Sequence, residues 1–299
     1  MRRTRSIPLP EIIEVEYYRR AASATVGRTV AEVHAPDDWF IKGGADAVAL
    51  KQALGGATVV EVRRAGKLLM LDLVSAPHKA TMPDRPDRAI DPVPGAHTGA
   101  RSRLLPDVVL GVRFGMTGRL EVDGHAVIDR LVYGSVRDVP QWRRFGLEFS
   151  DGGALVVIDP RRLGGVELEP DEHGLGPDAL ALTPEQLAVA LEGSHSPLKA
   201  RLLDQRRVAG LGNLLVDEIL WRAGLDPARE SKSLSPAEHQ RLAREISATL
   251  AELAERGGSH TGDLQVARIR GGSCPRDAEL LDRRTIGGRT TYSCPYHQR

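Results

Sequence analysis

The sequence predicts an α+β protein that is mainly β-structured at first, then helical, and that ends in a short hairpin. Segments between residues 28 and 166 alternate apolar and polar side chains, as half-buried strands do. Segments between residues 183 and 257 space apolar side chains at helical intervals instead. The two cysteines of the chain, Cys274 and Cys294, lie in strand-like segments near its end. Together these three observations predict the fold class and the order of its parts.

Composition and charge exclude several classes of protein. The chain has 299 residues and a net charge of +1, so it is long enough for two domains, and its overall charge does not indicate a nucleic-acid partner. The longest apolar run has seven residues, "LLMLDLV", and includes an aspartate, which is too short and too polar for a membrane span. Two cysteines and a basic start without an apolar signal region favour a cytoplasmic protein over a secreted, disulfide-linked one.

The N-terminal half is predicted to place one helix ahead of the strands. Residues 1–9 form a basic extension, and a helix is predicted at residues 10–24, where Pro10 suits the first turn. Strands are predicted at "TVAEVHA", "ATVVEVRRA", "KLLMLDLV", "VVLGVRF" and "RLEV", and a hairpin at "FGLEFSDGGALVVID". Residues 75–107 hold six prolines and little periodicity, so we predict a long loop inserted between two strands.

Helices with recognisable start signals follow residue 182. Thr183 and Gln186 have the spacing of a capping box, and Ser235 and Glu238 repeat it ahead of the last helix. Between them, "LLDQRRVAGLGNLLVDEILWRAGLDP" places two helices around a Gly-Leu-Gly-Asn turn. Such a turn can aim backbone N–H groups and the amide of Asn213 at a phosphate. The alternative is a compact helical corner in which Asn213 is only a cap.

Three further segments present candidate binding residues. Lys67 follows a glycine in "RRAGKLLMLDL", where it either reaches a phosphate or lies along a strand edge with its ammonium in water. The segments "FGMTGRL" and "DPRRLGG" present Met116, Arg161 and Leu163 at strand ends. Apolar wedges beside an arginine can fill a gap in a base stack, although each of these residues alone also suits a core or a turn.

The cysteines have the spacing of a zinc ribbon. Cys274 is followed by Asp277, and, after 16 intervening residues, Cys294 is followed by His297. Two such pairs, one hairpin apart, can supply four tetrahedral ligands to zinc, for which aspartate is an uncommon but acceptable ligand. The alternative is a metal-free hairpin whose thiols are buried.

Together these segments resemble the formamidopyrimidine-DNA glycosylase and endonuclease VIII family of base-excision repair enzymes. The resemblance runs from about residue 10 to residue 299, outside the proline-rich insert. It rests on "PEIIEVE", "RRAGKLLMLDL", "FGMTGRL", "DPRRLG", "LGPDAL", "LLDQRRVAGLGNLLVDEILWRAG" and "GGRTTYSCPYHQ" in that order. It implies a β-sandwich over residues 10–166, a linker over 167–182, a helix–two-turns–helix DNA-binding domain over 183–263 and a zinc finger over 264–299.

The resemblance also implies roles for single residues. Pro10 falls where the family has its catalytic N-terminal proline, whose amine attacks the deoxyribose C1′ and forms a Schiff base that permits strand elimination. Glu11 matches the adjacent carboxylate that transfers protons, and Glu14 matches the second family glutamate. The family's phosphate contacts and gap-filling groups around a flipped nucleotide fall on Lys67, Asn213, Arg289, Met116, Arg161 and Leu163.

These implications define the expected function. We expect a DNA glycosylase with AP-lyase activity on damaged bases in double-stranded DNA, acting as a monomer at the nucleoid in the cytoplasm. Lys199, in a basic segment, is expected to contact DNA, and a structural Zn²⁺ is expected on Cys274, Asp277, Cys294 and His297. An alternative is a non-catalytic binder of abasic or distorted DNA, because nine residues precede Pro10 and a peptide-bonded proline nitrogen is an amide.

Overall fold

The computed structural model describes residues 10–75, 106–128 and 139–299. The basic extension and most of the predicted proline-rich loop lie outside these residues. Six α-helices occur in the described parts: α1 Ile12–Ala22, α2 Ala47–Leu54, α3 Pro184–Leu191, α4 Leu198–Leu203, α5 Asn213–Ala223 and α6 Pro236–Glu255.

The strands of the described parts fall into three sheets. Their bounds are β1 Val30–His34, β2 Thr58–Ala65, β3 Leu68–Val74, β4 Val108–Arg113, β5 Arg119–Val122, β6 His125–Ala126, β7 Arg143–Phe149, β8 Ala154–Ile158, β9 Gly165–Leu168, β10 Asp282–Ile286 and β11 Arg289–Ser293. The strand orders are β1-β7-β8-β5-β6, β2-β3-β4-β9 and β10-β11. All the described strand pairs are antiparallel.

The two larger sheets form the predicted β-sandwich. Buried side chains from the first sheet, such as Val33 and Leu147, belong to one apolar cluster with Leu71 and Leu110 of the second. Strands of both sheets therefore share one core. The predicted hairpin at 145–159 is confirmed, since β7 pairs with β8.

Helix α1 contributes to two cores at once. Val15 and Tyr18 pack into the sandwich core, whereas Ile12 and Ile13 pack with the helices of the C-terminal part. The helix begins at Ile12 rather than at Pro10, because Glu11 is its N-cap in a capping box. Pro10 therefore lies just outside the first turn.

One helix was absent from the strand-only prediction for residues 28–74. Helix α2 has only eight residues and is capped by Asp46, whose side chain accepts the N–H of Ala49. Leu50 and Leu54 are fully buried against the sandwich. The segment is short and lies between glycines, so its helical period is weak in the sequence.

The helical part and the terminal hairpin follow the predicted order. Both predicted capping boxes are present, at Thr183 with Gln186 and at Ser235 with Glu238. Helix α4 is shorter than the predicted segment and ends at Leu203. In the described part of the chain, no helix combines the length and the apolar character that a membrane crossing requires.

The start of α6 depends on a single hydroxyl group. Ser235 Oγ accepts the N–H of Glu238 at 3.3 Å, and the Glu238 carboxylate accepts the N–H of Ser235 at 2.8 Å. Ser235→Ala is expected to lower the free energy of unfolding by about 1 kcal/mol in urea denaturation. Ser247→Ala, at an exposed position of the same helix, is the matched control and should be neutral or slightly stabilising. Equal effects of both changes would contradict the capping role.

Candidate nucleic-acid cleft and metal centre

A cleft of about 320 Å³ gathers residues from distant parts of the chain. Pro10 lies ahead of α1, Lys67 in the β2–β3 turn, Asn213 at the start of α5 and Arg289 at the start of β11. Leu68 and Phe114 add apolar surface to the wall. The cleft therefore combines one apolar wall with cationic and amide groups, an arrangement suited to a polyanion with a flat apolar part.

The carboxylate of Glu11 accepts hydrogen bonds from the N-terminus of α5. It accepts the backbone N–H groups of Gly212 at 2.9 Å, Leu214 at 2.8 Å and Leu215 at 3.1 Å. Residue 212 must be glycine, since a Cβ there would lie 2.2 Å from Glu11 Cδ. Burial raises the pKa of Glu11, while Lys67 opposes that shift. The residue next to Pro10 is thus a buried carboxyl group that favours keeping a proton more than an exposed glutamate does.

The Glu14 carboxylate holds the start of α1 in place through three hydrogen bonds. Its carboxylate accepts the N–H of Glu11 at 2.9 Å, and the N–H and Oγ of Ser259 at 2.7 and 2.8 Å. Burial raises the pKa of Glu14 as well. Glu14 is absent from the described cleft lining, so its contacts position Glu11 rather than face the cleft.

The turn that carries Lys67 is clamped by Arg64 and Asp178. The N–H of Gly66 donates to the Asp178 carboxylate at 2.8 Å, and Arg64 donates both to the Gly66 carbonyl at 2.9 Å and to Asp178 at 2.6 Å. Sequence reasoning gave no role to Arg64 or Asp178. The signal that could have identified Asp178 is the "LGPDAL" motif, which supported the family resemblance.

The Lys67 ammonium is a half-buried cation in the cleft. Within the described residues it makes no hydrogen bond and no ion pair. Burial lowers its pKa, Glu11 opposes this shift and Arg289 adds to it. A desolvated cation in a cleft, with no hydrogen-bonded partner among the described residues, is placed to bind an anion or to act as an amine.

Asn213 and Arg289 meet at the terminal hairpin. Asn213 Nδ2 donates to the carbonyl of Thr290 at 3.2 Å, and its Oδ1 is buried without a hydrogen bond among the described residues. Gly212, not Asn213, is the N-cap of α5, so the interpretation of Asn213 as only a helix cap is wrong. Arg289 follows the tight Gly287–Gly288 turn, and its side chain is exposed.

Lys199 is buried, which contradicts the prediction that it contacts DNA directly. Its side chain is 0% exposed, and Nζ donates to Asp217 at 2.7 Å and to the Thr290 carbonyl at 3.2 Å. Arg268 also pairs with Asp217, at 2.8 Å. A buried, fully engaged ammonium cannot reach a phosphate, so Lys199 instead supports the hairpin residue next to Arg289.

A buried aspartate joins the two loops that carry the predicted gap-filling residues. Asp159 accepts the hydroxyl of Thr117 at 2.5 Å and the N–H groups of Arg161 and Leu163 at 3.1 and 2.8 Å. The structure therefore brings Met116, which is half-buried, close to the exposed Arg161 and Leu163. Asp159 was missed because its partner at Thr117 is distant in sequence.

The four predicted metal ligands form one cluster. Their candidate ligand atoms all lie within 4.8 Å of one another. Asp277 Oδ2 lies 3.4 Å from Cys274 Sγ and 3.2 Å from Cys294 Sγ, and His297 Nδ1 lies 3.9 Å from Cys274 Sγ. Tetrahedral coordination at zinc bond lengths places ligand atoms roughly 3.3–3.8 Å apart. The cluster can therefore hold a metal ion.

Trp221 orients this cluster from α5. The carbonyl of Trp221 accepts His297 Nε2–H at 3.0 Å, which leaves Nδ1 directed at the cluster. The indole N–H of Trp221 donates to Cys274 Sγ at 3.2 Å. Both cysteines are free thiols, and these outer contacts are of the kind that orients the ligands of a metal site.

Comparisons with known proteins agree with this geometry. Residues 9–166 match the formamidopyrimidine-DNA glycosylase N-terminal domain, and residues 174–264 match the formamidopyrimidine-DNA glycosylase H2TH domain. A curated formamidopyrimidine-DNA glycosylase of Cereibacter sphaeroides is 32% identical and covers 97% of this chain and 100% of that protein. One of Acidiphilium cryptum is 34% identical over 85% of this chain and 80% of that protein.

Solved structures share the fold. A Lactococcus lactis Fpg bound non-covalently to DNA with an AP site has a TM-score of 0.72 at 23% identity, over 97% of this chain and 100% of that one. The same enzyme with DNA containing N7-benzyl-Fapy-dG has a TM-score of 0.71 at 23% identity, with the same coverage. The two domain matches span both sides of the cleft, so the chain belongs to the formamidopyrimidine-DNA glycosylase family.

Proposed function

We propose that this protein is a base-excision repair glycosylase with AP-lyase activity on double-stranded DNA that contains damaged bases or abasic sites. The observation that carries the proposal is the cleft itself, in which Pro10, Lys67 and Asn213 meet although they are far apart in sequence. Family membership supports the same activity. We further propose that the protein acts as a monomer on nucleoid DNA in the cytoplasm.

The proposed reaction assigns each group one task. A free amine at Pro10 attacks C1′, and the neighbouring Glu11, whose pKa burial raises, transfers the protons that this step requires. Lys67, Asn213 and Arg289 hold the phosphates beside the flipped nucleotide. Met116, Arg161 and Leu163 occupy the gap that the flipped base leaves.

This mechanism requires Pro10 to be the first residue. Nine residues precede it in the sequence, and its nitrogen is then a non-nucleophilic amide. The match to the N-terminal domain begins at residue 9. The proline mechanism therefore applies to a chain that begins at Pro10.

A chain that begins at Pro10 is expected to form a covalent adduct with abasic-site DNA in the presence of borohydride, because the free secondary amine gives a reducible iminium ion. Gel shift measures the adduct, and peptide mass spectrometry locates it on Pro10. The same chain with its N-terminal amine acetylated is the control and should give no adduct at Pro10. Binding of an abasic analogue without any adduct would favour the non-catalytic binder instead.

Arg289 and Asn213 are expected to contribute to DNA binding in different ways. Arg289→Ala should weaken binding of an abasic-analogue duplex and reduce the slope of log affinity against log salt by about 0.9, because one phosphate contact is lost. Asn213→Ala should weaken binding with an unchanged slope, since the amide is neutral. Arg283→Ala, at an exposed position of the same hairpin, is the control. A salt slope unaffected by Arg289→Ala would contradict the phosphate contact.

We also propose that the cluster of Cys274, Asp277, Cys294 and His297 binds a structural Zn²⁺. The ion would tie β11 to its surroundings and so support Arg289, without taking part in the chemistry. Cys294→Ala is expected to abolish the zinc content measured by elemental analysis and to weaken abasic-DNA binding. Tyr296→Ala, which changes an exposed neighbour, should keep both. Unchanged zinc content in Cys294→Ala would exclude this site.

A further inference from the structure

The loop that carries the proposed gap-filling residues Arg161 and Leu163 is held at both ends by backbone contacts. At its start, the Asp159 carboxylate accepts the N–H groups of both residues at 3.1 and 2.8 Å. At its end, a Cβ at Gly164 would lie 2.3 Å from a carbonyl oxygen of β4, so the two backbones are in direct contact. The conformation of the central residue, Arg162, is fixed in a different way.

Arg162 has a backbone conformation that residues with a side chain rarely adopt. Its φ is 56°, in the left-handed region, where a Cβ comes too close to the following carbonyl oxygen and glycine is favoured. It lies between Arg161 and Leu163, whose side chains are both exposed. The φ and ψ of Arg162 therefore determine how these two side chains lie relative to each other.

Asp37 holds Arg162 from outside the described cleft lining. It precedes the short 3₁₀ helix Asp38–Phe40, and its side chain is only 9% exposed. Its carboxylate accepts hydrogen bonds from the guanidinium groups of Arg162 and Arg144, the latter at 3.1 Å. Arg144 Nε also donates to the carbonyl of Asp159 at 2.9 Å. One carboxylate therefore ties the centre of the loop to its start.

The neighbouring Asp38 shows what distinguishes this carboxylate. Asp38 is exposed, and its side chain makes no hydrogen bond or ion pair among the described residues. An ion pair between exposed side chains contributes little. The carboxylate of Asp37 is largely removed from water and shared by two guanidinium groups, so loss of its charge would leave both without their acceptor. Asp38 is thus a matched control for the charge and the location of Asp37.

We propose that Asp37 is a positioning residue for DNA that has a gap in its base stack, because through Arg162 it holds Arg161 and Leu163 in the arrangement that fills the gap. This inference rests on the proposed function, which assigns the gap to these two side chains. A loop that is ordered before binding lowers the ordering cost of binding at the gap. An intact duplex has no gap to fill, so Asp37 is expected to increase the selectivity for abasic over intact DNA.

The test compares the affinities of the full chain for two duplexes of one sequence, one with a tetrahydrofuran abasic analogue and one intact. Asp37→Asn removes the charge at nearly constant volume and should lower the ratio of the two affinities at least about fivefold, because the strain at Arg162 is no longer offset. Asp38→Asn should keep the ratio. 2-Aminopurine opposite the analogue reports on the filled gap, and its fluorescence in the complex should change with Asp37→Asn and not with Asp38→Asn.

A second pair of variants separates positioning from a general loss of structure. Glycine adopts the left-handed conformation without an ion pair, so in a chain that carries Arg162→Gly the additional change Asp37→Asn should alter the ratio less than about twofold. A full, additive effect of Asp37→Asn in that chain would show that Asp37 does not act through Arg162, and would overturn the inference.

Other results distinguish this inference from the proposed function. If the wild-type chain prefers the abasic duplex, an undiminished ratio in Asp37→Asn, an equal loss in Asp38→Asn, or an equal fall of both affinities would exclude the role of Asp37 and leave the proposed function intact. A wild-type chain without that preference would contradict the proposed function, and the role of Asp37 with it.

Discussion

The geometry of the cleft depends on one buried carboxylate at a helix N-terminus. Glu11 and the N–H groups at the start of α5 lie about 200 positions apart in the chain, 201 for Gly212. The first N–H groups of a helix have no partner inside the helix and carry partial positive charge. Hydrogen bonds from three such donors offset much of the free-energy cost of burying the carboxylate. This contact holds Pro10 and Asn213 beside one small space.

Two further contacts join the same parts of the molecule. Asp178 ties the turn of Lys67 to the segment before α5, and Lys199 ties the Thr290 carbonyl to the body of α5 through Asp217. Helix α1 adds a shared element, because its two ends belong to different apolar cores. Lys67, Asn213 and Arg289, which come from the sandwich, the helices and the hairpin, are thereby held in fixed relative positions, which would reduce the ordering cost of binding DNA.

The sequence predicted what is encoded locally. Capping boxes at Thr183 and Ser235, and the metal cluster with its short spacings, involve residues close in the chain or paired by one hairpin. Lys199 was mispredicted because charge patterns do not reveal burial, and its partner Asp217 lies on another helix. Asp159 and Asp178 were missed for the related reason that their roles consist of contacts across the fold. Periodicity identifies elements, whereas these aspartates act between elements.

The cations of the cleft differ in chemistry, so an ammonium and a guanidinium there would bind a phosphate in different ways. A phosphate beside Lys67 would favour the protonated form of its amine. The guanidinium of Arg289 is a group that can bind phosphate in a bidentate manner. It is also exposed on a hairpin turn, whereas Lys67 is desolvated on a clamped one. The arrangement therefore suits both cations to a phosphate, Arg289 through a bidentate guanidinium and Lys67 through a point charge on a rigid turn.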